Sequence, residues 1–221
     1  MGALDRLATK LSDEEWRYVA AGGMAFLGLV TWALGFRTMR VRFPYGDRAC
    51  PVEIYEQVLV AEHDGKAKVA RRAWEYEPIL VNAALHFGAP PELLMGMAHT
   101  ESTFQPHAES SAGAVGLVQI MPNTAKSLHN KLVDAGEWPF LELDRKDPEQ
   151  SAWMAAYHMA DMLKRREVEN ALAAYNAGGS RVRPDTPKSD WPSQTRSYVK
   201  GVLRRAGYYR EIWNRCGGVP F

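Results

Sequence analysis

A carboxylate, Glu101, ends the apolar run "PELLMGMAHTE", and a loop of small residues and glycines, "AESSAGAVGLVQIMP", follows it closely. As a helix, the first segment puts Leu94, Met97, Ala98 and Glu101 at i, i+3, i+4 and i+7, so the acid shares the apolar face. A carboxyl placed there loses water, and desolvation raises its pKa. Every tenfold change in proton affinity corresponds to about 1.4 kcal/mol, so placing an acid there is costly. An acid that still holds its proton near neutrality is suited to general acid and base work. The competing reading is a buried glutamate satisfied by an arginine or by backbone donors.

The loop allows two readings as well. Gly113 and Gly116 permit positive φ and close backbone approach. That suits either a wall for an extended ligand or simply a tight turn. Gln119, between Leu117, Val118, Ile120 and Met121, offers an amide that can donate and accept in an apolar setting. His99 points to another side of the helix and reads as structural. No His, Cys and acid cluster stands at metal-ligand spacing, so neither a metal nor a cofactor is expected.

The segments that must position these groups read as helices. "EPILVNAALHF" places Leu80, Ala83, Ala84 and Phe87 at helical spacing, with Gly88 as its stop and Pro78 near its first turn. Residues 68–77 read as a separate helix before that proline. Pro90 and Pro91 open the Glu101 helix, where a missing N–H costs nothing. Asp147-Pro148-Glu149-Gln150 resembles a capping box starting a helix to about Lys164. "EVENALAAYNAGG" is helical up to Gly178 and Gly179. In "WPSQTRSYVKGVLRRAG", Tyr198, Val199, Val202 and Leu203 share a face and Gly207 reads as the stop. Trp74, Trp138, Trp153, Trp191 and Trp213 read as core and packing residues. Strand signals are confined to "AVGLVQIM", so the fold class is all-α with at most a small β-hairpin.

The 221 residues carry 27 basic and 26 acidic side chains, a net charge of +1, which gives no electrostatic reason to expect nucleic acid. Residues 18–36, "YVAAGGMAFLGLVTWALGF", run without a charge. As a helix they would span roughly 28 Å, close to the ~30 Å hydrocarbon core. Trp16, Tyr18 and Trp32 sit near the ends, where aromatic rings favour the interface. Asp5, Asp13, Glu14 and Glu15 before the span, and no small-x-small site after it, argue against a cleaved signal peptide, and a buried core helix is the other competing reading. The expected organisation is a segment at 1–17, a single transmembrane anchor at 18–36, a juxtamembrane region at 37–74 and a catalytic domain at 75–221. Basic residues flank the span almost evenly, so charge does not orient it. Cys50 and Cys216 bracket nearly all of the chain after the span. They are either a long-range staple or two unrelated thiols.

The ordered pattern E-S-x-F at Glu101, then G-A-x-G-L-x-Q-I-M-P from Gly113, then "AYNAGG" at 174–179, resembles the soluble lytic transglycosylase family, which is similar in fold to goose-type lysozyme. The resemblance covers roughly residues 75–205. It implies that Glu101 is the single catalytic acid and base and that Ser110 lies near the reacting sugar. Gln119 and Met121 would line the glycan groove. Tyr175 and Asn176 would come from a facing helix, with the phenol close to the carboxylate. The implied substrate is the peptidoglycan glycan strand. The implied reaction cleaves its β-1,4 bond between N-acetylmuramic acid and N-acetylglucosamine without water, leaving a 1,6-anhydro ring.

Two positions depart from the family pattern. Val118 replaces a methionine or phenylalanine, which would loosen a groove contact, and Gln194 replaces a glutamate expected to hold structure. Glu109, a nearby second acid, reads as solvated.

A wall-cleaving enzyme needs residues 37–221 on the periplasmic side of the membrane, and this orients the anchor. That architecture suits a secretion or conjugation machine, or a phage virion that must open the wall for DNA. The competing functions are a lysozyme-type muramidase that hydrolyses the same bond, and a non-catalytic peptidoglycan-binding scaffold.

Overall fold

The computed structural model describes residues 50–63 and 65–218. The expected anchor at 18–36 and the segment before it lie outside the described residues. Among the described residues, no helix is long and apolar enough to cross a membrane.

The described chain is all-α. Helix α1, Val52–Glu56, continues into a π-helical turn at Gln57–Glu62. There follow α2 (Ala67–Phe87), α3 (Pro91–Glu101), α4 (Pro122–Asp134), α5 (Pro148–Leu163), α6 (Val168–Ala177) and α7 (Ser193–Arg215). A 3-10 turn at Lys188–Asp190 precedes α7. The expected hairpin is reduced to two isolated bridges, Glu109 with Val115 and Val115 with Ile120.

Local signals set most helix ends. Asp147 accepts a 2.9 Å hydrogen bond from the Gln150 N–H, with Pro148 in the first helical position. Gly88, at φ 74°, ends α2, and Ala89 N–H closes on Ala84 O at 2.9 Å.

Two expected breaks do not occur. Residues 68–77 are not a separate helix, because α2 runs unbroken through Pro78. A proline inside a helix costs about 3 kcal/mol. Burial of Val69, Ala70 and Ala73 before it, and of Leu80, Val81 and Ala84 after it, outweighs that at ~1.5–3 kcal/mol per large side chain. Gly207 likewise does not stop α7, which continues to Arg215. Beyond the glycine, Tyr209, Ile212 and Trp213 are fully buried, and this exceeds the ~1 kcal/mol helix cost of glycine.

Helix α3 is the central element. It packs on α7 more extensively than any other two helices pack, and α2 packs on α5 and α3. Gly96 makes the α3–α7 crossing possible: a Cβ there would lie 2.7 Å from Val202 O.

The two ends of the described chain are tied together. Cys50 and Cys216 form a disulfide with Cα atoms 5.2 Å apart. Beneath it Glu77, only 4% exposed, accepts hydrogen bonds from the Tyr55 hydroxyl and the Trp213 indole. Trp74 adds a 3.0 Å bond to Cys50 O. Residues 50–62 are thus sewn onto α2 and α7. Of the five tryptophans read as core, Trp153, Trp191 and Trp213 are buried, and Trp74 and Trp138 are half-buried against the same core.

Candidate active site

Glu101 is the last residue of α3, and the chain leaves it in an unusual conformation. Thr103 and Phe104 both adopt positive φ, 51° and 58°. Non-glycine residues in this region carry a cost, and the surroundings must enforce it. Here Phe104 is fully buried. Ser102 donates to Leu117 O at 2.8 Å and accepts from Gln105 N–H at 3.0 Å. Arg72 reaches Thr103 O at 3.3 Å. The segment after Glu101 is therefore fastened to the glycine-rich loop on one side and to α2 on the other.

Burial raises the Glu101 pKa from 4.5 to about 7. Among the described residues, the group that pulls it back is the Tyr198 phenol, a hydrogen-bond donor that favours the carboxylate, and no second carboxylate acts on it. The Tyr198 hydroxyl is buried and completes no hydrogen bond of regular geometry among the described residues, yet it lies close enough to Glu101 that each shifts the other's pKa. Tyr175 approaches from α6. Its hydroxyl donates to Val118 O at 2.8 Å, and both burial and the nearby Glu101 charge push its own pKa up.

The loop is held as a rigid wall. Gly116 sits at φ 92°, and a Cβ there would lie 2.3 Å from Arg145 O. The close approach this glycine allows is thus to the protein's own backbone. Arg145 also donates to Gly113 O at 2.9 Å and Ile120 O at 3.0 Å, clamping both sides of the loop. Ser110 accepts from Ala114 N–H at 3.0 Å, so its hydroxyl shapes the turn. Gln119, at φ 50°, donates to Ala108 O and Gly116 O.

A cavity of about 310 Å³ opens beside Tyr175, lined in part by Gln119, Met121 and Tyr175. Met121 is 42% exposed and forms part of that wall. The structure thus brings Gln119, Met121 and Tyr175 to one cavity, and Tyr175 to Glu101. Asn176 instead accepts from the Thr195 hydroxyl at 3.0 Å, joining α6 to α7. Ser110 has no hydrogen bond to Glu101 and no place in the cavity wall. Val118 is fully buried and contributes its carbonyl to Tyr175, so its side chain is no groove contact and nothing is loosened there. Gln194 is exposed in the first turn of α7, and Glu109 is exposed and pairs with Lys146 at 3.4 Å.

Tyr198 and the cavity residues Lys131 and His158 were not among the expected site residues. Tyr198 lies on the apolar face of α7, and only its phenol oxygen distinguishes it from a packing residue. Lys131 and His158 lie outside the motifs.

The described geometry agrees with what similarity shows. A family model described as Transglycosylase SLT domain matches residues 79–196. A transglycosylase of Enterobacteria phage PRD1 is 32% identical over 123 residues, covering 55% of this chain and 39% of that protein. Membrane-bound lytic murein transglycosylase C of Histophilus somni is 41% identical over 75 residues, covering 34% of this chain and 19% of that protein. In structure, the chain is similar to an inactive Glu-to-Gln variant of the lytic transglycosylase Slt of Pseudomonas aeruginosa, with TM-score 0.55, 29% identity, and 65% of this chain and 25% of that one covered. The 70 kDa soluble lytic transglycosylase of Escherichia coli gives TM-score 0.54 at 25% identity, covering 76% and 30%. The chain therefore spans well under half the length of these relatives. The family model covers more than half of the residues, and the protein belongs to the transglycosylase SLT domain family.

Proposed function

We propose that the protein is a peptidoglycan lytic transglycosylase with Glu101 as its one catalytic acid and base. The observation that carries this reading is a half-buried glutamate with a pKa of about 7 and, among the described residues, no second carboxylate acting on it. A glycosidase of the two-acid type needs a partner carboxylate at a fixed separation, as nucleophile or as activator of water. The nearby acid, Glu109, is exposed and paired with Lys146. A single acid must then serve both halves of the reaction, and a pKa near the working pH lets one group do so.

The steps balance without water. Glu101 gives its proton to the glycosidic O4 as the C1–O4 bond breaks, and the N-acetylglucosamine leaves as an alcohol. The N-acetyl carbonyl oxygen of the muramic acid shares its electrons with C1 and stabilises the positive centre. Glu101, now ionised, takes the proton of the 6-hydroxyl as O6 attacks C1, displaces the acetamido oxygen and closes the 1,6-anhydro ring. The acid is restored. Tyr198 stabilises the intermediate carboxylate, because its donor favours that form. Tyr175 bounds the site on the α6 side, with Gln119 and Met121 along the groove. Ser110 and Asn176 act through the loop and the α6–α7 contact.

The rest of the reading concerns place. Residues 18–36 anchor the protein in a membrane, with the domain that follows on the periplasmic side, where its substrate lies. The Cys50–Cys216 disulfide suits that oxidising compartment. A tethered enzyme of this kind opens the wall locally for an envelope-spanning machine. A virion component is the other setting, suggested by the phage relative.

The test is mass spectrometry of peptidoglycan digested by the full chain. Anhydro ends, one water lighter than reducing ends, are expected, and Glu101→Gln should leave none. Reducing ends alone would mean hydrolysis, and unaltered clearing by the variant would mean that Glu101 is not the acid.

A further inference from the structure

The cavity beside Tyr175 has a polarity that cleavage at Glu101 does not require. Thr124, Ser127 and Lys131 fall at i, i+3 and i+7 on α4 and line it together, and His158 of α5 faces them. No carboxylate is among the lining residues. Among the described residues, Lys131 forms no ion pair. Asp161, the acid whose charge acts on His158, is bound to Arg165 at 2.9 Å and does not line the cavity. The wall thus holds one cation without an ion-pair partner among the described residues, beside two hydroxyl donors. Burial and the Lys131 charge both push the His158 pKa down, so the imidazole is a neutral hydrogen-bonding group and the ammonium is the cation of the site. At about 310 Å³ the cavity is at the small end of the range of ligand pockets. It reaches Tyr175, which feels the Glu101 charge, so an occupant of the cavity lies beside the reacting centre.

We propose that this cavity is a carboxylate-recognising subsite, in which Lys131, with Ser127 and Thr124 beside it, binds an acidic group carried by the muramic acid side of the substrate. The proposal rests on the peptidoglycan reading above. The backbone sugars of that polymer are neutral, so the carboxylate comes from the lactyl ether where no peptide is attached, or from an acidic residue of the stem peptide. An exposed ammonium on a flexible stem suits either, since it acts as a point charge.

The experiment compares wild type with Lys131→Ala, Lys131→Glu and Lys131→Arg. The substrates are peptide-bearing glycan strands and strands stripped of peptide by an amidase, with binding of neutral N-acetylglucosamine oligomers measured in parallel. Lys131→Glu should raise KM on the carboxylate-bearing strands about tenfold, with kcat within twofold. Lys131→Arg should stay near wild type, and affinity for neutral oligomers should not change. A KM effect confined to stripped strands assigns the lactyl group, one confined to peptide-bearing strands assigns the stem peptide, and one on both means that the subsite takes either carboxylate. An unchanged KM on both strands, or an equal loss on the neutral oligomers, would overturn the subsite. Lys131 is exposed, so all variants should melt with the wild type. Binding of charged strands to Glu101→Gln, with and without Lys131→Glu, tests the subsite even if the products prove to be hydrolytic.

Discussion

The Tyr198 phenol on α7 acts on the Glu101 carboxyl at the end of α3, and among the described residues it is the group that lowers a pKa that burial raises. The α3–α7 contact that Gly96 permits therefore positions packing residues and sets the proton affinity of the acid at once. In Tyr198→Phe the donor is lost and the carboxylate is less favoured. The basic limb of kcat/KM, which follows ionisation of Glu101 near pH 7, should move to higher pH, by a tenfold change in proton concentration at most, the equivalent of about 1.4 kcal/mol. A pH–rate profile on soluble glycan strands measures this. A limb that stays in place, or moves down, would remove Tyr198 from this role.

Removing the acid should separate stability from activity. Glu101→Gln is expected to lose at least ~10²–10⁴-fold in rate, the range of general acid–base catalysis. Its stability should move the other way. The folded pKa of about 7 exceeds the unfolded 4.5, so the native state binds the extra proton between these values and wild-type stability falls as pH rises through that window. The two proteins should match below pH 4.5, and the variant should be more stable above pH 7, by up to about 3 kcal/mol. Urea melts at both ends of the window check it.

The two loop glycines should respond differently to alanine. At Gly116 a methyl group meets Arg145 O at 2.3 Å and the backbone is left-handed, so Gly116→Ala should cost ~3 kcal/mol or more and distort the wall. At Gly113 the φ is 84° but nothing lies within 4 Å, so Gly113→Ala should cost only ~1 kcal/mol. Equal losses in denaturant melts would contradict the assignment of Gly116 to a close approach.

Much of the site was legible because it follows helical period. Glu101 falls on the Leu94–Met97–Ala98 face in the sequence, and α3 buries those three residues. The Asp147 cap and the Gly88 stop were legible because each is a local rule. What escaped depended on contacts between distant segments. Tyr198 shares spacing with Val199 and Val202, and periodicity does not say where a phenol oxygen points. Pro78 and Gly207 read as breaks because their local cost is real, but core burial on both sides of each exceeds it. The turn role of Ser110 and the internal role of Val118 depend on Ala114 and Tyr175, partners that only the fold identifies.

The unbroken helix at Gly207 gives its own test. An added Cβ would have nothing within 4 Å, and the residue is helical. Gly207→Ala should therefore stabilise the protein by about 0.5–1 kcal/mol. A loss of stability in thermal melts would place a constraint at this turn that the structure does not contain.

The disulfide should contribute through the long loop that it closes. Cys50→Ser with Cys216→Ser, or reduction of the wild type, should lower stability by about 2–5 kcal/mol. Specific activity of the remaining folded protein should be unchanged, since the Glu77 cluster and the bridge lie on residues that do not touch Glu101. Denaturant melts with and without reductant, paired with activity, check both halves.

One titration tests the shared ground of these expectations most directly. With side-chain carboxyls labelled with carbon-13, the resonance missing from Glu101→Gln identifies Glu101, and its position can be followed against pH in the wild type. A midpoint near 7 is predicted, rising in Tyr198→Phe. A midpoint near 4.5, the value of a solvated glutamate, would contradict a single acid that holds its proton for the first half of the reaction.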